Sequence, residues 1–148
     1  MIRFAAFALA SLIVIGCGSG TVTAPTPTPA SMDDVIAALV LRRLTIHRLV
    51  SGDPGCPGSD LHSNALRLEV AIDDRSATHE VYLFRWRRAA DFAGSAQAFA
   101  DCVAAYKALQ PGTTVSQVDS EPWRAYGPGW APDLAPKLLD AFQSVGGD

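Results

Sequence analysis

The feature that most constrains this fold is an alternation of apolar and charged residues near the middle of the chain. Leucine, valine and isoleucine occupy every second position of residues 66–72, and Arg67 and Glu69 lie between them. This two-residue period predicts a β-strand with one buried face. A turn at residues 73–76 leads to a second strand over residues 80–87, which is apolar on both faces. The two strands predict an antiparallel hairpin whose second strand is central in the sheet or covered on both sides.

Helical periodicity appears in three further places. Ser31 is a candidate N-cap for a helix over residues 32–42, and Asp133 is one for a closing helix that ends at Gly146. An alanine-rich stretch over residues 90–109 predicts the middle helix.

Shorter apolar runs predict the remaining strands. Residues 44–50 form one, with Leu44, Ile46 and Val50 expected on one face. Short segments around residues 115–118 and 123–126 look like an interrupted strand that Pro122 breaks. The order helix, strand, strand, strand, helix, strand, helix predicts an α+β fold, an antiparallel sheet of about four strands packed by three helices.

Residues 4–30 contain no charged residue and divide into two unlike segments. The first, after Arg3, is an apolar run of twelve residues that ends at Ile15. A helix that spans a bilayer needs about 20 apolar residues, so this length favours a signal peptide. The second, residues 18–30, is rich in Gly, Ser, Thr and Pro and predicts a disordered tether. A single globular domain is therefore expected over residues 31–148.

The apolar run ends in Val14, Ile15, Gly16 and Cys17, which resemble the bacterial lipobox. In lipoproteins with this motif, the cysteine thiol receives a diacylglycerol and the signal peptide is cut before that cysteine. Val14 stands where leucine is commonest in the family. The resemblance implies that residues 1–16 are removed, that Cys17 is lipidated, and that the protein is anchored outside the cytoplasm to a membrane through this lipid.

The folded part is similar in pattern to small secreted lipoproteins of actinobacteria. The matching stretches are the hairpin, the alanine-rich helix, and the strand and closing helix over residues 123–145. That family brings no catalytic residues to this sequence. Its function is uncharacterised, so the resemblance adds an expected architecture only.

Three cysteines in an exported protein would leave one without a disulfide partner. Lipidation of Cys17 leaves Cys56 and Cys102, which are expected to form a disulfide outside the cytoplasm. Two buried free thiols are the alternative. A catalytic or metal-binding role is less favoured, because neither residue lies in a CxxC motif or a ligand cluster.

Two groups of residues are candidates for ligand binding. Arg85 and Arg87, with Arg88, form the one basic cluster, which could meet lipid headgroups or an anionic ligand or could be a solvated strand end. The other group is aromatic and lies on a Gly- and Pro-rich segment, where it could stack on a ligand or close the end of the sheet; it consists of Trp123, Tyr126 and Trp130.

No catalytic signature is present. The sequence has no GxSxG, GxGxxG or Walker pattern, and His47, His62 and His79 lack zinc-binding spacing. Asp73 and Asp74 could hold a cation, but turn chemistry explains them better. No metal or cofactor is expected, and the net charge of −3 argues against nucleic acid as a partner.

We therefore expect a lipid-anchored envelope protein that binds a small ligand or an envelope protein without catalysis. A small envelope hydrolase with dispersed catalytic residues is one alternative. A structural module with an accessory role in a larger envelope complex is another.

Overall fold

A computed structural model describes residues 31–57 and 59–146. Cys17, the predicted signal peptide and the predicted tether lie outside the described residues. In chain order the helices and strands are α1 (Met32–Leu41), β1 (Thr45–Ser51), β2 (Ala65–Ala71), β3 (His79–Arg85), α2 (Ala89–Gly94), α3 (Ala96–Leu109), β4 (Val115–Ser120), β5 (Trp123–Pro128) and α4 (Leu134–Val145). A short 3-10 helix (Asp60–Asn64) precedes β2.

The strands form one antiparallel sheet in the order β1-β2-β3-β5-β4. The predicted α+β fold and the predicted hairpin, now β2 and β3, are confirmed. As expected for a strand with two apolar faces, β3 lies in the centre of the sheet.

The predicted number of about four strands is wrong, because the described residues form five. The segments on either side of Pro122 pair with each other as β4 and β5, with Ser120 opposite Trp123. Pro122 therefore lies in the turn of a hairpin, where its missing N–H breaks no bond of the sheet.

The prediction of three helices is also wrong, because the alanine-rich helix divides at Ser95 into α2 and α3. The Ser95 hydroxyl donates a hydrogen bond to the carbonyl of Phe92. Phe92 turns inward, and its ring meets that of Trp86 edge to face at 5.7 Å. This contact packs α2 against the end of β3.

Helix α1 begins as predicted at an N-cap, Ser31. The Ser31 hydroxyl accepts a hydrogen bond from the Asp34 N–H, and the Asp34 carboxylate accepts one from the Ser31 N–H. This reciprocal capping box satisfies two backbone donors at the helix start. The bonds to Ser31 lower the pKa of Asp34 below its usual value.

Helices cover both faces of the sheet and create two apolar clusters. On the first face, α1 and α4 pack on the sheet around Leu39, Leu68, Leu83, Trp123 and Phe142. On the second face, α3 and the 3-10 helix pack around Leu61, Tyr82, Phe84, Phe99 and Tyr126. The sheet is therefore the middle layer of three.

Strand β1 contains a bulge at His47, which changes the predicted faces. Ile46 lies opposite Val70, but Val50 lies opposite Arg67. Val70 and Arg67 are on opposite faces of β2, so Ile46 and Val50 do not share a face as predicted. One extra residue in a strand reverses the side chains that follow it.

Candidate functional site

A disulfide joins Cys56, in the loop between β1 and β2, to Cys102 on α3. Both residues are buried, and their Cα atoms are 5.3 Å apart, within the usual range for a disulfide. The predicted pairing is confirmed. Disulfides persist in oxidising compartments, so the bond indicates an environment outside the cytoplasm.

The loop that carries Cys56 lies on a layer of tyrosine rings. Gly55 has a φ of +72°, and the Tyr126 hydroxyl donates a hydrogen bond to the Pro54 carbonyl. The rings of Tyr82 and Tyr126 stack with their centroids 5.0 Å apart. The disulfide thus holds an otherwise irregular loop on the second face of the sheet.

Burial raises the pKa of Tyr82, Tyr106 and Tyr126 above the ordinary tyrosine value. The neighbouring Glu80 carboxylate raises the pKa of all three further. These hydroxyls remain protonated at neutral pH, and those of Tyr82 and Tyr126 donate hydrogen bonds to the Glu80 carboxylate and the Pro54 carbonyl.

The three aromatic residues proposed as ligand contacts are in the core and on opposite faces. Trp123 is fully buried and stacks on Phe142 of α4, whereas Tyr126 belongs to the second-face cluster. Trp130 is 9% exposed and donates its indole N–H to the Glu80 carbonyl at 2.8 Å. They offer no open ring face to a ligand, and their role in this structure is to fill the two apolar clusters.

The predicted basic cluster is also divided. The Arg85 guanidinium lies 5.8 Å from the centre of the Trp123 ring, on the first face. Arg87 and Arg88 are exposed and line a cleft of about 510 Å³ beside Trp86. Asp91 lines the same cleft and pairs with Arg88 at 3.7 Å, which offsets part of its positive charge.

A second cleft, which the sequence analysis did not identify, lies between α1 and β1. Its volume is about 440 Å³, and we call it the α1–β1 cleft; its lining is Ile36, Val40, Arg43, Leu44, Thr45, Ile46, Asp73 and Asp74. From the sequence, its apolar residues were assigned to a helix and a strand that were not expected to form a cleft together. The aspartates are in the predicted turn, and the pairing of Thr45 with Ala71 brings this turn next to the start of β1.

The histidines remain apart from both clefts. His47 and His62 are exposed, and the His62 Nδ1 atom is hydrogen-bonded to the Gly52 carbonyl at 2.8 Å. Neither cleft has a histidine in its lining. Over the described ranges, no group of three His, Cys, Asp or Glu residues is placed to hold a metal ion.

No helix in the described part of the chain has both the length and the apolar composition needed to cross a bilayer. Comparison with known proteins finds no match to any family model, curated protein or solved structure.

Proposed function

We propose that this chain is a lipid-anchored protein of the cell envelope whose domain binds a ligand or a protein partner. The observation that carries the proposal is the Cys56–Cys102 disulfide. The sequence has three cysteines, so this bond leaves Cys17 alone, at the end of the lipobox-like segment. A single cysteine at that place is what lipid attachment requires.

The anchor would act through buried acyl chains. Each CH₂ group in the bilayer contributes about 0.8 kcal/mol, and stable anchoring takes more than one chain. A diacylglycerol on Cys17 meets that requirement. Residues 18–30 then provide a Thr- and Pro-rich spacer between the lipid and α1.

Binding is favoured over hydrolysis by the chemistry of the two clefts. One is apolar with charged groups on its rim, and the other exposes two arginines. A hydrolase would need a nucleophile or an activated water beside a base, and the linings bring no histidine to a carboxylate. An accessory role in an envelope complex would use the same surfaces.

Cys17→Ala tests the anchor. We expect the substitution to abolish incorporation of labelled fatty acid and to leave the protein as an uncut precursor or released from the membrane. Ser19→Ala is the matched control and should retain the label. Undiminished labelling of Cys17→Ala would refute the lipoprotein assignment.

Thiol counting tests the cysteine assignment independently. The denatured mature protein should take up no alkylating reagent without reductant, and two equivalents after reduction. One reactive thiol before reduction would mean that Cys17 carries no lipid, while the disulfide would stand.

A further inference from the structure

The α1–β1 cleft has the make-up of a small-molecule site. Ile36 and Val40 of α1 face Leu44 and Ile46 across it, so the walls are mainly aliphatic. Its volume of about 440 Å³ is within the range of about 300–1,000 Å³ that is common for such sites. Val40 keeps 56% of its surface exposed, so its side chain is accessible to a ligand.

Charged groups lie at the rim, with an excess of negative charge. Asp73 and Asp74 contribute two carboxylates, and Arg43 contributes one guanidinium. The Thr45 hydroxyl donates to Asp74 at 2.8 Å, and the Arg75 N–H donates to Asp73 at 2.8 Å. Both carboxylates are thereby held in place at the β2–β3 turn, beside the apolar walls.

We propose that the α1–β1 cleft binds a small amphiphilic cation. The apolar body of the ligand lies between Val40 and Ile46, and its ammonium group meets Asp73 and Asp74. The inference rests on the proposed function in treating the domain as a binding module, and it names the ligand class.

A small ligand fits this place better than an added β-strand. Strand β1 is an edge strand, but the bulge at His47 interrupts its regular pairing with β2. Arg48 is exposed on the same strand. Bulges and charged side chains are the features that discourage strand addition at an edge.

The test is a nuclear magnetic resonance titration of the full mature chain with butyl-, hexyl- and octylammonium, below their micelle concentrations. Amide shifts should concentrate on α1, the start of β1 and the β2–β3 turn. Each added methylene should tighten binding up to about fourfold until the cleft is filled, as expected for transfer of a CH₂ group from water.

Ligand charge is tested with octyl sulfate and octyl glucoside. Both should bind more weakly than octylammonium. Equal or tighter binding of the sulfate, or shifts that lie outside the cleft, would overturn the proposal.

Variants test the carboxylates and the aliphatic wall of the cleft separately. Asp73→Asn and Asp74→Asn keep an oxygen for the bonds from Arg75 and Thr45, and each should weaken octylammonium binding about two- to fivefold. Val40→Ala removes two methylene equivalents from a side chain that is about half exposed, so it should weaken binding about fourfold. Glu121→Gln, in the exposed β4–β5 turn at the other edge of the sheet, is the matched charge control and should have no effect.

Unchanged affinity in both aspartate variants would refute the role of the rim, provided their urea unfolding matches the wild type. The titration does not depend on acylation. Loss of the anchor would therefore leave this result intact, and loss of binding would leave the anchor intact.

Discussion

At the scale of single residues, Gly55 lies where the disulfide-bearing loop passes over the rings of Tyr82 and Tyr126. Its φ of +72° is costly for any residue with a Cβ, and a Cβ placed there would lie 2.5 Å from the Tyr82 ring. We expect Gly55→Ala to lower the free energy of unfolding by about 1–2 kcal/mol through the backbone, and by about 1–3 kcal/mol more through overpacking. Urea unfolding with the disulfide intact measures both effects together.

Gly112 supplies the matched control for this residue. It has a φ of +84°, but an added Cβ would meet nothing within 4 Å. Gly112→Ala should therefore show only the backbone cost of about 1–2 kcal/mol. Equal losses in the two variants would contradict the steric contact between the loop and the tyrosine rings.

At the scale of elements, regular periodicity was predictable and local irregularity was not. The alternation around Arg67 and Glu69 identified β2, because the strand has one apolar and one polar face. The bulge at His47 has no such signature, since an inserted residue leaves the local composition unchanged. Pro122 was correctly recognised as a break, but a break within one strand and a turn between two strands look alike in sequence.

The candidate sites, too, were predictable from the sequence only in part. Cys56 and Cys102 could be paired by counting, because the predicted lipidation of Cys17 leaves one possibility. The aromatic residues could not be placed by composition, since Trp123 and Tyr126 fill core positions of β5 rather than an open loop. The α1–β1 cleft joins residues of α1, β1 and the β2–β3 turn, and no local pattern encodes their tertiary arrangement.

Arg124 links four elements and gives a prediction at this scale. Its guanidinium lies 4.1 Å from the centre of the Phe92 ring on α2 and packs against Trp86 and Phe99. Its Nε atom pairs with Asp119 on β4 at 3.4 Å. Arg124→Ala should lower the free energy of unfolding by about 2–4 kcal/mol, because it removes a desolvated cation–π contact and buried packing.

Two further variants separate the contribution of the aromatic stacking from that of the ion pair with Asp119. Arg124→Lys keeps the charge but loses the flat guanidinium, so its loss should be intermediate. Asp119→Asn should cost about 1 kcal/mol or less, because the Asp119 side chain is 56% exposed. If Asp119→Asn proved as damaging as Arg124→Ala, the ion pair and not the aromatic stacking would hold α2 in place.

At the scale of the whole molecule, the two faces of the sheet are closed in different ways. Helices α1 and α4 pack against each other on the first face, and Arg42 joins them through a 2.6 Å ion pair with Asp140. The second face is closed by α3 and a largely irregular loop, which the Cys56–Cys102 bond fastens to each other. The disulfide therefore cross-links elements of the second face only.

Removing this bond should destabilise the molecule mainly through the unfolded chain. The linked residues are 46 positions apart, and the chain-entropy model gives about 4 kcal/mol for closing such a loop. A phosphine reductant should lower the free energy of unfolding of the wild type by about this amount. Cys56→Ala/Cys102→Ala should show a similar loss without reductant and no further change with it. An unchanged urea midpoint after verified reduction would mean that the tyrosine contacts alone hold the loop on the sheet.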